Sequence, residues 1–200
     1  PDLAAIAALH PDLVLANAEE NRAADLAALR DAGCPVWVTD IRTVPGALAS
    51  LGRMLEVCGL AAPDWLGQAE RRWAGMRRYD EVPEAHPVGV VVPIWRRPWM
   101  ALGPDTFASD VLARLGMRNL LDGAAERYPR VDLAALLGCH PDRIVLPDEP
   151  YPFGTDDGPE AFPGLPVALV SGRHLTWYGP SLREAPDVLS RQLAAATPPS

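Results

Sequence analysis

Aromatic and acidic residues gather where one chain element gives way to the next, and these are the side chains that could do chemistry. Trp95 and Trp99 stand in "PIWRRPWM", Tyr128 in "RYPRV", Tyr151 and Phe153 just after "PDEP", and Trp177 and Tyr178 in "HLTWYGP". None of them forms a helical stripe. Aromatic residues at loop tips suit the broad apolar face of a large, flat ligand; the alternative is that some of them pack loops onto a core. Arg96 and Arg97 could hold a ligand's carboxylate or phosphate groups, or be solvated surface arginines. Glu19 and Glu20 follow one apolar run, and Asp148 and Glu149 follow another. Carboxylates at matching places in two lobes could grip two arginines on a partner. The alternative is loop solvation, or, for Glu20, the favourable end of a helix dipole.

Signatures of catalysis are scarce. The chain has no G-x-S-x-G, Walker loop, H-E-x-x-H or G-x-G-x-x-G. His10 and His140 occupy equivalent turns, which favours a turn role over metal or acid–base work. His86 and His174 stand alone. Cys34, Cys58 and Cys139 show no CxxC spacing and read as small buried residues. No catalytic and no metal site is therefore assigned.

Composition narrows the classes further. The 200 residues suit one large domain or two small lobes, and a hydrophobic content of 48% supports a core. Net charge is −8 and all 18 basic residues are arginine. An acidic chain without a basic run is a poor nucleic-acid binder. No apolar stretch is long enough to span a membrane, and no signal peptide is present.

The elements that must position these residues come in a repeat. "DLAAIAALHPDLVLANAEEN" returns as "DLAALLGCHPDRIVLPDEPY" at an offset of 130 residues, with seven identities in the first fifteen positions. Each copy predicts a short helix (3–9, 133–137) ended at His-Pro-Asp, then a buried strand and an acidic loop. Helices are expected over 22–32, 44–58, 63–82, 105–115 and 181–195, the last kinked or broken at Pro186, with "TPPS" frayed at the end. Strands are expected in "PVWVTD", "PVGVVVPIW" and "PVALV", and a further one in "HLTWY". Alternating α and β elements predict a mostly parallel sheet in each copy. The fold class is α/β: two Rossmann-like lobes joined by a long rigid backbone helix, divided as 1–62, 63–82 and 83–200. Before the second copy stand a strand and a helix that the first copy lacks, so the first lobe reads as incomplete.

Several stretches resemble the helical-backbone metal receptors, the cobalamin-binding branch of the solute-binding proteins of ABC importers. They are "HPDLVLANAEENR", "GCPVWVTDIRTV", "PIWRRPWMALGPDTFASDVLARLGMRN", "YPRVDLAALL", "LPDEPYPF" and "WYGPSLREA", and they run across essentially the whole chain. The resemblance implies the class III periplasmic binding protein fold. It implies cobalamin or a related metal chelate (haem, ferric siderophore) as ligand, no required cofactor, and a membrane permease as partner. It also implies a monomer in an extracytoplasmic location whose signal segment is absent from this chain; a cytoplasmic location stays open. Tyr128 matches an aromatic that faces the corrinoid, and Trp95 lies in the loop that supplies another. With Trp99, Trp177 and Arg96 they form the candidate ligand set. Glu19 matches a glutamate that contacts the permease. The second such glutamate falls on Ala134 here, and Glu149 replaces it by internal symmetry. Two alternatives remain: a two-lobed metallocluster enzyme, which would need cysteine or histidine ligands at lobe-facing strand ends, and a remnant that binds no ligand.

Overall fold

Hydrogen-bond donors and acceptors at the ends of the two repeated strands find the same kinds of partner in both copies. In the computed structural model, which describes residues 1–198, α1 (Leu3–Ala8) leads to β1 (Val14–Asn17), and α6 (Leu133–Gly138) leads to β7 (Arg143–Pro147). Val14 N–H donates to Pro35 C=O at 2.8 Å, and Ile144 N–H to Pro166 C=O at 2.9 Å. Beyond the strands, Ala18 N–H donates to Thr39 and Asp148 N–H to Val170. Each copy thus runs parallel to a following strand, β1 to β2 (Val36–Thr39) and β7 to β8 (Val167–Val170). The helix-to-strand turns also match: His10 and His140 adopt φ of 48° and 51°. That left-handed step is what a chain needs just past a helix end.

The chain divides into two compact units, Pro1–Ile41 and Arg42–Ser200. The first holds α1, β1, α2 (Ala23–Asp31) and β2, with β1 and β2 as a two-stranded parallel sheet. Gly33, at φ 82°, ends α2 where a side chain would be strained.

The second unit begins with α3 (Val44–Val57) and α4 (Asp64–Trp73). Its four-stranded parallel sheet has the order β6-β3-β7-β8, from β3 (Val88–Val91), β6 (Met117–Asn119), β7 and β8. The copies therefore lie in separate sheets, and the α/β class with parallel sheets holds. β4 (Pro93–Trp95) and β5 (Met100–Ala101) form an antiparallel hairpin beyond β3. The core gathers Val91, Leu136, Ile144, Leu146, Phe153 and Phe162. Each such side chain contributes about 1.5–3 kcal/mol by leaving water.

The compact-unit boundary falls after Ile41, not at 62/63, because α3 and α4 are bonded into the second unit. Asp110 on α5 (Phe107–Arg114), 1% exposed, accepts hydrogen bonds from Val44 N–H at 2.8 Å, Arg78 Nη1 at 3.0 Å and Arg114 Nε at 2.8 Å. Arg114 Nη1 donates onward to Met76 C=O, and Trp73 Nε1 donates to Leu182 C=O. The helix expected over 63–82 ends at Trp73; a 3-10 turn at Tyr79–Glu81 follows. Its buried face is Leu66, Ala69 and Trp73, with Trp65 only half-buried.

Other expectations are corrected. "HLTWY" is not a strand: Gly172–Thr176 forms α7, a short helix in which Thr176 Oγ1 donates back to Gly172 C=O at 2.8 Å. At Pro186 the expected segment is broken rather than kinked. Pro186 opens α8 (Ala185–Ala194), after a separate 3-10 turn at Pro180–Arg183, and a helix's first turn needs no proline N–H. Cys34 is buried, but Cys58 is exposed at the end of α3 and Cys139 is half-buried. Of the "TPPS" tail, Thr197 pairs with Val167; residues 199–200 lie outside the described residues. No helix is long and apolar enough to cross a membrane among the described residues.

Candidate functional site

Parallel strands leave their C-terminal ends in loops, and side chains there can face a ligand. In the second unit the β4–β5 hairpin, the loop after β7 and the β8–α7 turn all follow strands in this way.

The hairpin carries Trp95, Arg96 and Trp99. Trp95 is 42% exposed and meets Tyr151 edge-to-face at 5.5 Å between ring centres. Tyr151 leans on Phe153 at 4.6 Å, and Phe153 stacks on Trp99 at 6.1 Å. Trp99 also meets the buried Phe162. The aromatic cluster therefore grades from an exposed end at Trp95 to a core end at Trp99. Trp99 was expected to face a ligand; instead it is packed against the core.

Arg96 fastens this cluster. Its guanidinium lies 5.3 Å from the Trp99 ring centre and pairs with both Asp157 and Glu160. Tyr151 donates its hydroxyl to Asp157 at 2.5 Å, and Gly158 N–H donates to Glu160 at 2.6 Å. Burial alone would lower the Arg96 pKa, but the bond to Glu160 and the charges of Glu160 and Asp157 raise it. The Tyr151 bond, with Arg96 beside it, lowers Asp157 below the usual carboxylate range. The same bond raises Tyr151. Arg96, expected as a ligand contact, thus has its charge engaged inside the protein.

Tyr128 lies on a segment zipped to the hairpin's return strand. Ala101 N–H donates to Pro129, Gly103 N–H to Arg127, and Val131 N–H to Trp99. Gly103 is required: a Cβ there would sit 2.3 Å from the Glu126 carbonyl oxygen. Asn119 Nδ2 holds this strand from below by donating to the Leu102 and Gly103 carbonyls. Tyr128 itself is 36% exposed.

Trp177 belongs to a different grouping. Its indole N–H donates to Glu149 Oε2 at 3.0 Å, and the ring is 64% exposed. Glu149 is exposed too. The loop after β7 is thus flanked by Trp177, through Glu149, and by Trp95, through Tyr151. In the first unit Glu19 occupies the position matching Glu149. It is exposed, and its N–H donates to Asn17 Oδ1 at 2.7 Å.

One arrangement was not visible in the sequence. His174 Nδ1 lies 2.8 Å from Ser171 Oγ, and Nε2 lies 3.4 Å from Glu184. Chemically this resembles a Ser-His-Glu relay at a strand-to-helix turn. An acyl-transfer site also needs donors for an oxyanion. Here the adjacent Gly172 N–H donates to the Asp148 carboxylate at 2.6 Å, which spends that donor and sets a negative charge beside it. The cluster fixes α7 and lowers the Glu184 pKa through the His174 bond. Among the described residues no group of histidine, cysteine and carboxylate side chains could hold a metal ion. A shallow concavity along α3–α4, lined by Gly52, Pro63, Leu66, Gly67 and Arg71 among others, includes none of the aromatics described here.

Such a sheet, hairpin and helix order define the class: the chain has the fold of the helical-backbone periplasmic binding proteins. In sequence it is similar to a vitamin B12-binding protein of Pectobacterium carotovorum subsp. carotovorum (strain PC1), with 26% identity over all of this chain and 73% of the relative. In structure it is similar to the vitamin B12-binding protein BtuF of Vibrio cholerae, with a TM-score of 0.75 at 18% identity over 96% of this chain and 78% of that one. The periplasmic haem-binding protein BhuT, solved with two haems, gives 0.74 at 24% identity over 96% and 78%. A periplasmic haem-binding protein of Pseudomonas aeruginosa gives 0.69 at 22% identity over 99% and 77%. No protein-family model matches the chain.

Proposed function

We propose that this protein is the solute-binding component of an ABC importer, taking cobalamin or a related metal chelate such as haem or a ferric siderophore. It works by capture and delivery, not by catalysis, outside the cytoplasm. The observation that carries the reading is the exposed Trp95, held edge-on to Tyr151 at the sheet's C-terminal edge by the Arg96–Asp157–Glu160 network. A corrin or porphyrin offers a wide apolar face, and a ring already fixed in place loses little freedom on meeting it. Tyr128, on the segment zipped to the same hairpin, supplies a second aromatic. Trp99 and Arg96 support these rings from within. Glu19 and Glu149, exposed beyond matching strands, offer carboxylates to arginines of a membrane permease. The similarity to vitamin B12- and haem-binding proteins supports the ligand class.

The test is titration with cyanocobalamin, haem and a ferric siderophore, read by tryptophan quenching, with Tyr128→Ala and Trp95→Ala alongside. An aromatic contact contributes roughly 1–3 kcal/mol by buried area, so each variant should bind about 5- to 150-fold more weakly. If no ligand binds better than millimolar, or both variants match the parent, the reading fails.

A further inference from the structure

Two neighbouring arginines stand at the tip of the β4–β5 hairpin, and the fold treats them differently. Arg96 is drawn inward by Asp157, Glu160 and the Trp99 ring. Arg97 is exposed, and among the described residues it has no hydrogen-bond or ion-pair partner. We propose that Arg97 is the anion contact of the ligand site, and that the ligand is a flat chelate whose carboxylates are gathered on one edge, as in a porphyrin with paired propionates. This deepens the solute-binding reading above and rests on it.

The backbone at Arg97 supports a role beyond folding. Its φ is 65°, a left-handed conformation that glycine adopts freely and a long side chain does not. The residues on either side hold it there. Trp95 leans on Tyr151, Arg96 is bonded to two carboxylates, and Trp99 packs on Phe153 and Phe162. Glycine would serve the turn better, so a charged residue kept in this conformation at an exposed tip has another task. The nearby carboxylates are already engaged. Asp157 accepts from Arg96 and Tyr151, and Glu160 from Arg96 and Gly158 N–H. The Tyr151–Asp157 hydrogen bond sets the pKa shifts of that pair, and the Arg97 charge acts on both groups beside Arg96. Arg97 therefore stands close to the exposed Trp95–Tyr151 pair with its guanidinium donors unused.

Charge sets the orientation. In the strand order β3-β7-β8 the hairpin, the loop after β7 and the turn after β8 follow one another along the sheet's C-terminal edge. Arg97 marks the hairpin end. Asp148 and Glu149, both exposed, stand in the middle, and Trp177 lies beyond, its exposed ring a further apolar surface for the same ligand. A carboxylate set over β7 would meet Asp148 and Glu149 and be repelled. Set at the hairpin, it meets a guanidinium with paired donors. A chelate with carboxylates all round its rim suffers that repulsion in every orientation. One rimmed by neutral amides offers Arg97 only weaker, uncharged acceptors. A ring with its carboxylates on one edge satisfies Arg97 while laying its apolar face on Trp95.

The experiment is a cycle of two proteins and two ligands. The intact protein and Arg97→Gly are titrated with ferric protoporphyrin IX and with its dimethyl ester, which keeps the ring and removes both carboxylate charges. Soret absorbance and tryptophan quenching read the binding. The parent should bind the diacid about 5- to 30-fold more tightly than the diester. Arg97→Gly should lose that preference while melting close to the parent, since glycine relieves the φ of 65°. Lost affinity without lost stability is a result that a purely structural arginine would not give. Arg97→Lys keeps the charge but not the paired donors, and should retain part of the preference. Cyanocobalamin, rimmed by amides, should bind more weakly than the diacid and be indifferent to Arg97→Gly. Equal binding of diacid and diester by the parent, an unchanged preference in Arg97→Gly, or tighter binding of cyanocobalamin than of the diacid overturns the inference and leaves the solute-binding reading standing. If neither porphyrin nor cyanocobalamin binds better than millimolar, that reading fails and the inference falls with it.

Discussion

Replacing Asp110 by Ala removes one carboxylate that holds three segments. Its oxygens accept from the start of α3 at Val44, from Arg78 beyond α4, and from Arg114 on its own helix. Val44 is fully buried, so its N–H would be left without water or partner, at about 1–3 kcal/mol. The two guanidiniums would lose a counter-charge. Arg78 keeps Asp80, and Arg114 keeps the Met76 carbonyl, which limits that loss. Breaking a buried, hydrogen-bonded charge cluster from one side costs about 3–5 kcal/mol, and here the lower half of that range is expected. For a chain of this length each kcal/mol moves the melting point by roughly 2–4 °C, so Asp110→Ala should melt about 6–16 °C lower. Asp110→Asn keeps an acceptor for Val44 N–H but sets an amide against two cations, and should fall between variant and parent. Calorimetry at neutral pH reads the shift. A drop under about 2 °C for Asp110→Ala would refute the idea that this carboxylate binds the paired helices to the second unit.

Two further outcomes follow from the aromatic hairpin. Arg96→Met should loosen the Trp95–Tyr151 pair by about 1–2 kcal/mol, from lost ion pairs and the contact with Trp99. Trp95 emission should shift and chelate affinity fall together; lost affinity with unchanged emission would make Arg96 a direct ligand contact instead. Because Asp157 is held below its ordinary pKa, its contribution is fully present above about pH 4 and is lost as pH falls through the folded value. Tyr151 is raised and stays protonated. Tryptophan emission should therefore be flat from pH 8 to 5 and change only below about 4; a transition near pH 6 would contradict the network.

The elements were legible where a local rule governs them. Apolar runs with β-branching gave β1, β3, β7 and β8, and Gly33, Gly59 and Gly116 marked helix ends through positive φ. Thr106 is the N-cap of α5, accepting from Ser109 N–H. "HLTWY" failed because Thr, Trp and Tyr favour strands, while Ser171 and Gly172, fastened to Gln192 and Asp148, start a helical turn. The candidate site was half legible. Exposed Trp95 and Tyr128 stand at element ends, as their positions suggested. The partners of Arg96 and Trp177 did not, because Asp157 lies 61 residues beyond Arg96 and Glu149 lies 28 before Trp177. No periodicity reports such pairs. Trp99 looked like its neighbour Trp95 in sequence, yet the hairpin turns one ring outward and the other onto Phe153.

The paired left-handed histidines also bear on how this scaffold could be engineered. His10 and His140 each donate their N–H to a carbonyl three residues back, Ala7 and Leu137, at 3.0 Å, and each precedes a proline. Holding a side chain in that region is unfavourable by about 1–2 kcal/mol, and glycine relieves it. The duplication therefore supplies two copies of one stabilisable joint in a single polypeptide, each an internal replicate of the other.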